Sequence, residues 1–185
     1  RGEHLVVYTP YIPSTIMESQ RILLRPWRES DAGALFRYAS DPEVGPRAGW
    51  APHQSEAESL GIIRTLFNNA TTWAIVWKAT DEAIGAIGYG PSCDCALPAR
   101  PGEPTVGYWL ARPYWNRGIC SEALAMMIAH IRRTTALPSL ISGHFVDNPA
   151  SGRVMEKCGF VATGQMACDA TLYGGDGRSI RVLRL

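Results

Sequence analysis

No run of apolar residues in this chain is long enough to cross a membrane: runs such as residues 73–77 and 83–87 fall far short of the roughly 20 a spanning helix needs. An excess of one charge sign is missing too. Eighteen Lys and Arg stand against 17 Asp and Glu, a net charge of +1, so there is no basic field to release counterions and nucleic acid is not expected as a ligand. Cysteine is sparse and odd in number, at Cys93, Cys95, Cys120, Cys158 and Cys168, which excludes the dense paired framework of a small secreted scaffold and fits a reducing cytoplasm. Cys93-Asp94-Cys95 has no second Cys or His pair at zinc-finger spacing, so no metal is expected. No Gly-Lys-Ser follows a glycine-rich loop and no three spaced glycines open a helix, which disfavours a nucleoside triphosphate or NAD. Pro10 and Pro13 interrupt any signal-peptide core. Met17 reads as the biological start, with residues 1–19 an N-terminal extension that is not native before Met17. Residues 20–185 then form one domain, a size able to bury a real core.

What is present is an alternation of strand and helix patterns. "RILLRP", residues 21–26, reads as a strand ended by Pro26, and "ESDAGALFRYASD", residues 29–41, as an amphipathic helix with an acidic first turn. Residues 54–69 place Ala57, Leu60, Ile63 or Arg64, and Phe67 at helical spacing. Three strands follow at residues 71–78, 83–90 and 105–111, the first two joined by a hairpin through Thr80-Asp81-Glu82. Between Gly90 and Pro104 the density of Pro, Gly and small polar residues predicts a long loop. Residues 117–135 carry the strongest helical pattern, with Cys120, Leu124, Met127 or Ile128, and Ile131 on one stripe. A strand at 139–146, a short helix at 148–160 stopped by Gly159, and two strands joined through "YGGDG" complete the order β-α-α-β-β-β-α-β-α-β-β. This is a mixed α/β sheet that passes from an antiparallel meander to a β-α-β crossover.

Two stretches carry chemistry. The strand at 106–110, the turn at 111–116 and a helix opening on Arg117-Gly118 together suggest an anion cradle. The first N–H groups of a helix have no intrahelical acceptor, and the helix dipole favours negative charge there. Gly118 has no Cβ to block the approach. An ordinary strand-to-helix turn is the competing reading. In "DNPASGRVMEKCGF", residues 147–160, Asn148 and Ser151 lie three apart and can share a helix face. The competing reading there is that Asp147 or Asn148 is simply an N-cap.

With these motifs in place, the chain resembles the GNAT acetyltransferase superfamily, in the RimJ/RimL-like branch that acetylates ribosomal-protein N-termini. "RILLRPWRESDAGALFRYASDPEV", "VGYWLARPYWNRGICSEAL" and "NPASGRVMEKCGF" match in order and spacing, over about residues 20–185. The resemblance implies an α/β (α+β) fold with a mostly antiparallel central sheet splayed in the middle. It implies acetyl-CoA as cosubstrate, held by the turn whose family form is Gln/Arg-x-x-Gly-x-Gly/Ala. Here those positions are Trp115, Asn116, Arg117, Gly118, Ile119 and Cys120, followed by Ser121. Cys120 departs from the consensus and reads as a small buried hydrophobe rather than a redox centre. The edge formed by Tyr108, Trp109 and Leu110 would pair with the pantetheine arm as an added strand, and a backbone N–H from it would polarise the thioester carbonyl. By the same resemblance Asn148 contacts the arm and Ser151 protonates the departing thiolate, because Met155 stands where many relatives carry a Tyr.

The implied reaction is direct attack of a primary amine, a peptide N-terminus or a small molecule, in a ternary complex. For the base the nearest carboxylate is Asp169, with Glu103 or a water chain as alternatives. Thr105 stands where other relatives are acidic. Of His53, His130 and His144, only His144 lies close to the slot. A monomer or a homodimer fits equally, and a non-catalytic acyl-CoA sensor on the same fold is the alternative function.

Overall fold

The computed structural model describes residues 15–91 and 96–185. Among these, eight strands form one sheet in the order β1-β2-β3-β4-β5-β6-β8-β7. The strands are β1 (Met17–Glu18), β2 (Ile22–Arg25), β3 (Thr72–Trp77), β4 (Glu82–Gly90), β5 (Thr105–Leu110), β6 (Ile141–Phe145), β7 (Val161–Ala167) and β8 (Ile180–Arg184). Every neighbouring pair is antiparallel except β5 with β6. The helices are α1 (Ala32–Ala39), α2 (Gly45–Ala48), α3 (Glu56–Thr65), α4 (Ile119–Thr134) and α5 (Pro149–Lys157), with 3-10 turns at Glu29–Asp31 and Arg112–Tyr114.

The central strands are buried on both faces, and their alternation assigns each residue to a layer. Along β3, Trp73 and Ile75 enter one core cluster with α4, while Ala74 and Val76 enter a second with α1 and α3. The period of two divides one apolar strand between two helix layers. On α4, Leu124, Met127, Ile128 and Ile131 are buried, each contributing roughly 1.5–3 kcal/mol. A buried pair between Arg25 and Asp31, 2.8 and 2.9 Å, ties the turn before α1 to β2.

Three differences from the sequence reading have physical causes. Met17–Glu18 pairs with β2, and the Thr15 carbonyl accepts the Trp73 indole N–H at 3.1 Å, so residues 15–18, within the stretch expected to be an extension, make contacts with the sheet. The second helix is shorter than residues 54–69, because Ser55 caps it by accepting the Glu58 N–H. Gly45–Ala48 is helical although Gly and Pro open it; Pro46 occupies the first turn, where its missing N–H costs nothing. Cys93 and Cys95 lie outside the described residues. Among the described residues no helix is long and apolar enough to cross a membrane and no cluster of His, Cys, Asp or Glu could hold a metal.

What positions the site is the junction of β5 and β6. The two are parallel and share a single register pair, Thr105 with Ile141. The Ile141 N–H donates to the Pro104 carbonyl at 3.0 Å and the Ser142 hydroxyl to the Val106 carbonyl at 2.8 Å. Beyond these bonds the strands part. At the closed end Glu103 accepts from Ser139 and Arg184, each at 2.7 Å, and from the Arg100 N–H at 2.8 Å. Burial pushes the Glu103 carboxyl up, but the guanidinium and the two other donors outweigh it and hold the group at about 2.

Candidate functional site

Where β5 leaves β6, its backbone is free on one edge. Residues 104 and 106 turn their carbonyls toward β6, and a strand alternates its edges residue by residue. Tyr108 and Leu110 therefore turn their N–H and C=O groups into the slot. The Leu110 carbonyl is taken by the Trp115 indole N–H at 2.7 Å, which fixes the turn that follows. In that turn Asn116 and Gly118 both have left-handed backbone, φ 58° and 74°, bending the chain so that successive N–H groups face one concavity. Gly118 is the N-cap of α4 with no side-chain cap, and the first intrahelical bond is from the Glu122 N–H to its carbonyl at 3.0 Å. The N–H groups of Ile119, Cys120 and Ser121 are thus left without helix acceptors.

Those groups open into a cavity of about 370 Å³ between the turn, β5 and α5. Arg47 from α2 and Arg153 and Lys157 from α5 also line it, and no carboxylate does among the described residues. Sequence reasoning missed these three cations. Arg153 and Lys157 lie four apart in the quoted motif, hence on one helix face, and that spacing could have revealed them. Arg117 behaves differently: its guanidinium lies over the rings of Trp77 and Tyr114, 4.8 and 5.5 Å from the centroids, and does not line the cavity. Aromatic faces accommodate the cation at this helix start. Burial pushes the Cys120 thiol up to about 12, so it is a neutral packing group at ordinary pH.

A second cavity, about 970 Å³, lies beyond the junction, with Arg47 and Ala48 of α2 and Thr65 of α3 among its lining residues. Six residues line both: Arg47, Ala48, Tyr108, Trp109, Asn148 and Ser151. The Tyr108 hydroxyl donates to the Ser151 carbonyl at 2.8 Å and lies 3.1 Å from Ser151 Oγ. Burial raises the Tyr108 pKa, keeping the phenol protonated. This tertiary pairing was not visible in the sequence, which offered Tyr108 only as a backbone contact. Asn148 is the residue before α5, and its amide donates to the Arg47 carbonyl at 3.3 Å rather than capping its own helix.

The carboxylates named from sequence are engaged elsewhere. Asp169 accepts from the Thr171 N–H at 3.0 Å and from the Thr171 hydroxyl. These bonds hold its carboxyl below the usual range, and it lines neither cavity. Glu103 is bound at the closed end, as described above. His144 does line the second cavity. Its Nδ1 is 2.8 Å from the Phe145 carbonyl, an acceptor only, so Nδ1 carries a hydrogen. The imidazole packs so tightly on α5 that a Cβ at Gly152 would stand 2.5 Å from Nε2.

A family model described as an acetyltransferase (GNAT) domain matches residues 21–161. The chain is 28% identical over 154 residues to a protein of Bacillus subtilis named "Uncharacterized N-acetyltransferase YoaA", covering 80% of this chain and 84% of that one. It is 31% identical over 84 residues to the "Ribosomal-protein-serine acetyltransferase" of Escherichia coli, 45% of this chain and 44% of the relative. The fold is similar to that of the Microcin C7 self immunity acetyltransferase MccE, whose structure is a complex with acetyl-CoA and AMP. The TM-score is 0.73 at 16% identity, over 90% of this chain and 93% of that one.

Proposed function

Because this chain belongs to the acetyltransferase (GNAT) family, we propose that it moves an acetyl group from acetyl-CoA to a primary amine by direct attack in a ternary complex. The observation that carries the reading is the meeting of two cavities at Tyr108 and Ser151, one cationic at an uncapped helix start and one neutral. The first fits a phosphorylated cofactor. The N–H groups of residues 119–121 would take its pyrophosphate, with Arg47, Arg153 and Lys157 balancing the charge. When bound, acetyl-CoA supplies the acetyl group as a thioester.

The chain's own groups then divide the work. The Tyr108 N–H is the donor for the thioester carbonyl oxygen, fixed by the sheet before any charge develops there. Asn148 and the open edge of residues 108–110 orient the pantetheine arm. Ser151, paired with the Tyr108 phenol, donates a hydrogen bond to the leaving sulfur. The Ser151 hydroxyl gives its proton to that sulfur and regains one from solvent, while the amine gives up one of its own, so that amine and thioester become amide and thiol. His144 Nε2, rather than Asp169, is the acceptor we assign to the amine proton, directly or through water. The acceptor is a small molecule or a peptide N-terminus.

The test is thiol release on adding an amine panel to protein and acetyl-CoA, beside calorimetry with CoA alone. CoA binding with amine-dependent thiol release is expected. Binding without release from any amine would favour an acyl-CoA sensor. Ser151→Ala with full turnover would remove Ser151 from the mechanism.

A further inference from the structure

The larger cavity has a composition that restricts its occupant. Its walls include Trp50, Phe67, Tyr89, Trp109, Leu97 and Leu172, and among the described residues no Asp or Glu lines it. Arg47, its one cation among them, stands at the junction, pairs with Glu43 at 3.0 Å and lies over the Trp115 ring. The other polar groups include the uncharged side chains of Asn69, Thr72 and Ser142 and the His144 imidazole, with the Tyr89 phenol pushed up by burial.

From this we infer that the acceptor is a primary amine on an uncharged apolar or aromatic body, and that polyamines and aminoglycosides are poor substrates. The inference rests on the acetyl-transfer reading for which end of the ligand enters first, but not for the preference itself. A second ammonium carried into the cavity would lose its hydration, at a cost of several kcal/mol per ion. With no carboxylate among the described lining residues, the compensation they leave is cation–π attraction to the tryptophans, about 0.5–2 kcal/mol. Desolvation wins. An uncharged body gains instead: burying apolar surface returns roughly 25 cal/mol per Å², and the rings of Trp50 and Trp109, 5.5 Å apart and edge to face, offer an aromatic wall. The same lack of counter-charge helps the reacting amine, because burial disfavours ammonium and favours the free base that attacks.

The test separates affinity from turnover. Amines are titrated calorimetrically into protein saturated with CoA: 2-phenylethylamine, a Phe-Ala dipeptide amide, spermidine and an aminoglycoside. We expect one or both monoamines to bind at least about tenfold more tightly than either polycation, the two arms showing whether free amine or peptide N-terminus fits. Trp50→Ala should weaken the monoamines about tenfold. Leu66→Glu, which places a carboxylate on the exposed rim, should raise spermidine affinity several-fold. Tighter binding of spermidine or the aminoglycoside to the unmodified protein would overturn the inference, as would loss of monoamine binding in Asp94→Asn, which would reveal a carboxylate as the anchor. A preserved preference with no thiol release would leave the inference standing and sink the transfer reading. Thiol release with a preference for polycations would do the reverse.

Discussion

On one side of the Tyr108–Ser151 junction, α5 presents Arg153 and Lys157 to a cavity floored by the bare N–H groups of α4; on the other, tryptophans and tyrosine enclose a larger space with no carboxylate among the described residues. The two are separated by little more than the edge of β5, yet one collects positive charge and the other has almost none. This shows where the fold spends polarity. The anion side uses backbone and cations, which need only be near a phosphate. The larger cavity offers shape and apolar walls, which make a neutral group easier to hold than an ion.

Gly118→Val should break the cationic half most completely. Valine is strained at φ 74°, at a cost of about 1–3 kcal/mol, so the left-handed turn that aims the N–H groups is lost. Acetyl-CoA affinity should fall about 100-fold or more by calorimetry, with circular dichroism unchanged. Tyr108→Phe removes the hydroxyl at Ser151 without opening either cavity, and kcat should drop about 10- to 100-fold while KM for acetyl-CoA stays within about threefold. Loss of KM instead would make the hydroxyl a cofactor anchor.

A finer dissection takes Arg153→Ala with Lys157→Ala. Acetyl-CoA should bind about tenfold more weakly, the difference shrinking at high salt, while amine affinity is untouched. Glu103→Gln probes the hinge that serves both halves. Its carboxyl is held at about 2 against roughly 4.3 unfolded. A depressed folded pKa stabilises above the unfolded value and loses that contribution as pH falls from about 4 toward 2. The variant should lose about 2 kcal/mol in urea at neutral pH, with less acid dependence below pH 4.

Much of the frame was legible. The apolar runs of β3 and β4, the stripe on α4 and the missing cap at Gly118 follow from local patterns, because sheet and helix periods are written in neighbouring residues. Gly45–Ala48 was not legible, since four residues opening on Gly and Pro carry no periodicity. Of the chemistry, the cradle could be read from the turn. The Tyr108–Ser151 pair could not, because residues 43 apart in sequence meet only once the sheet has splayed. Asp169 is instructive: the family resemblance offered it as the nearest carboxylate for a base, whereas a Thr two residues on already offered the local bonds that occupy it.

The most direct test is a crystal structure with acetyl-CoA bound. The account predicts the pyrophosphate on the N–H groups of residues 119–121, the thioester beside Tyr108 and Ser151, and the acetyl group facing the aromatic cavity. A cofactor lying within that cavity, with the α4 N-terminus empty, would contradict it.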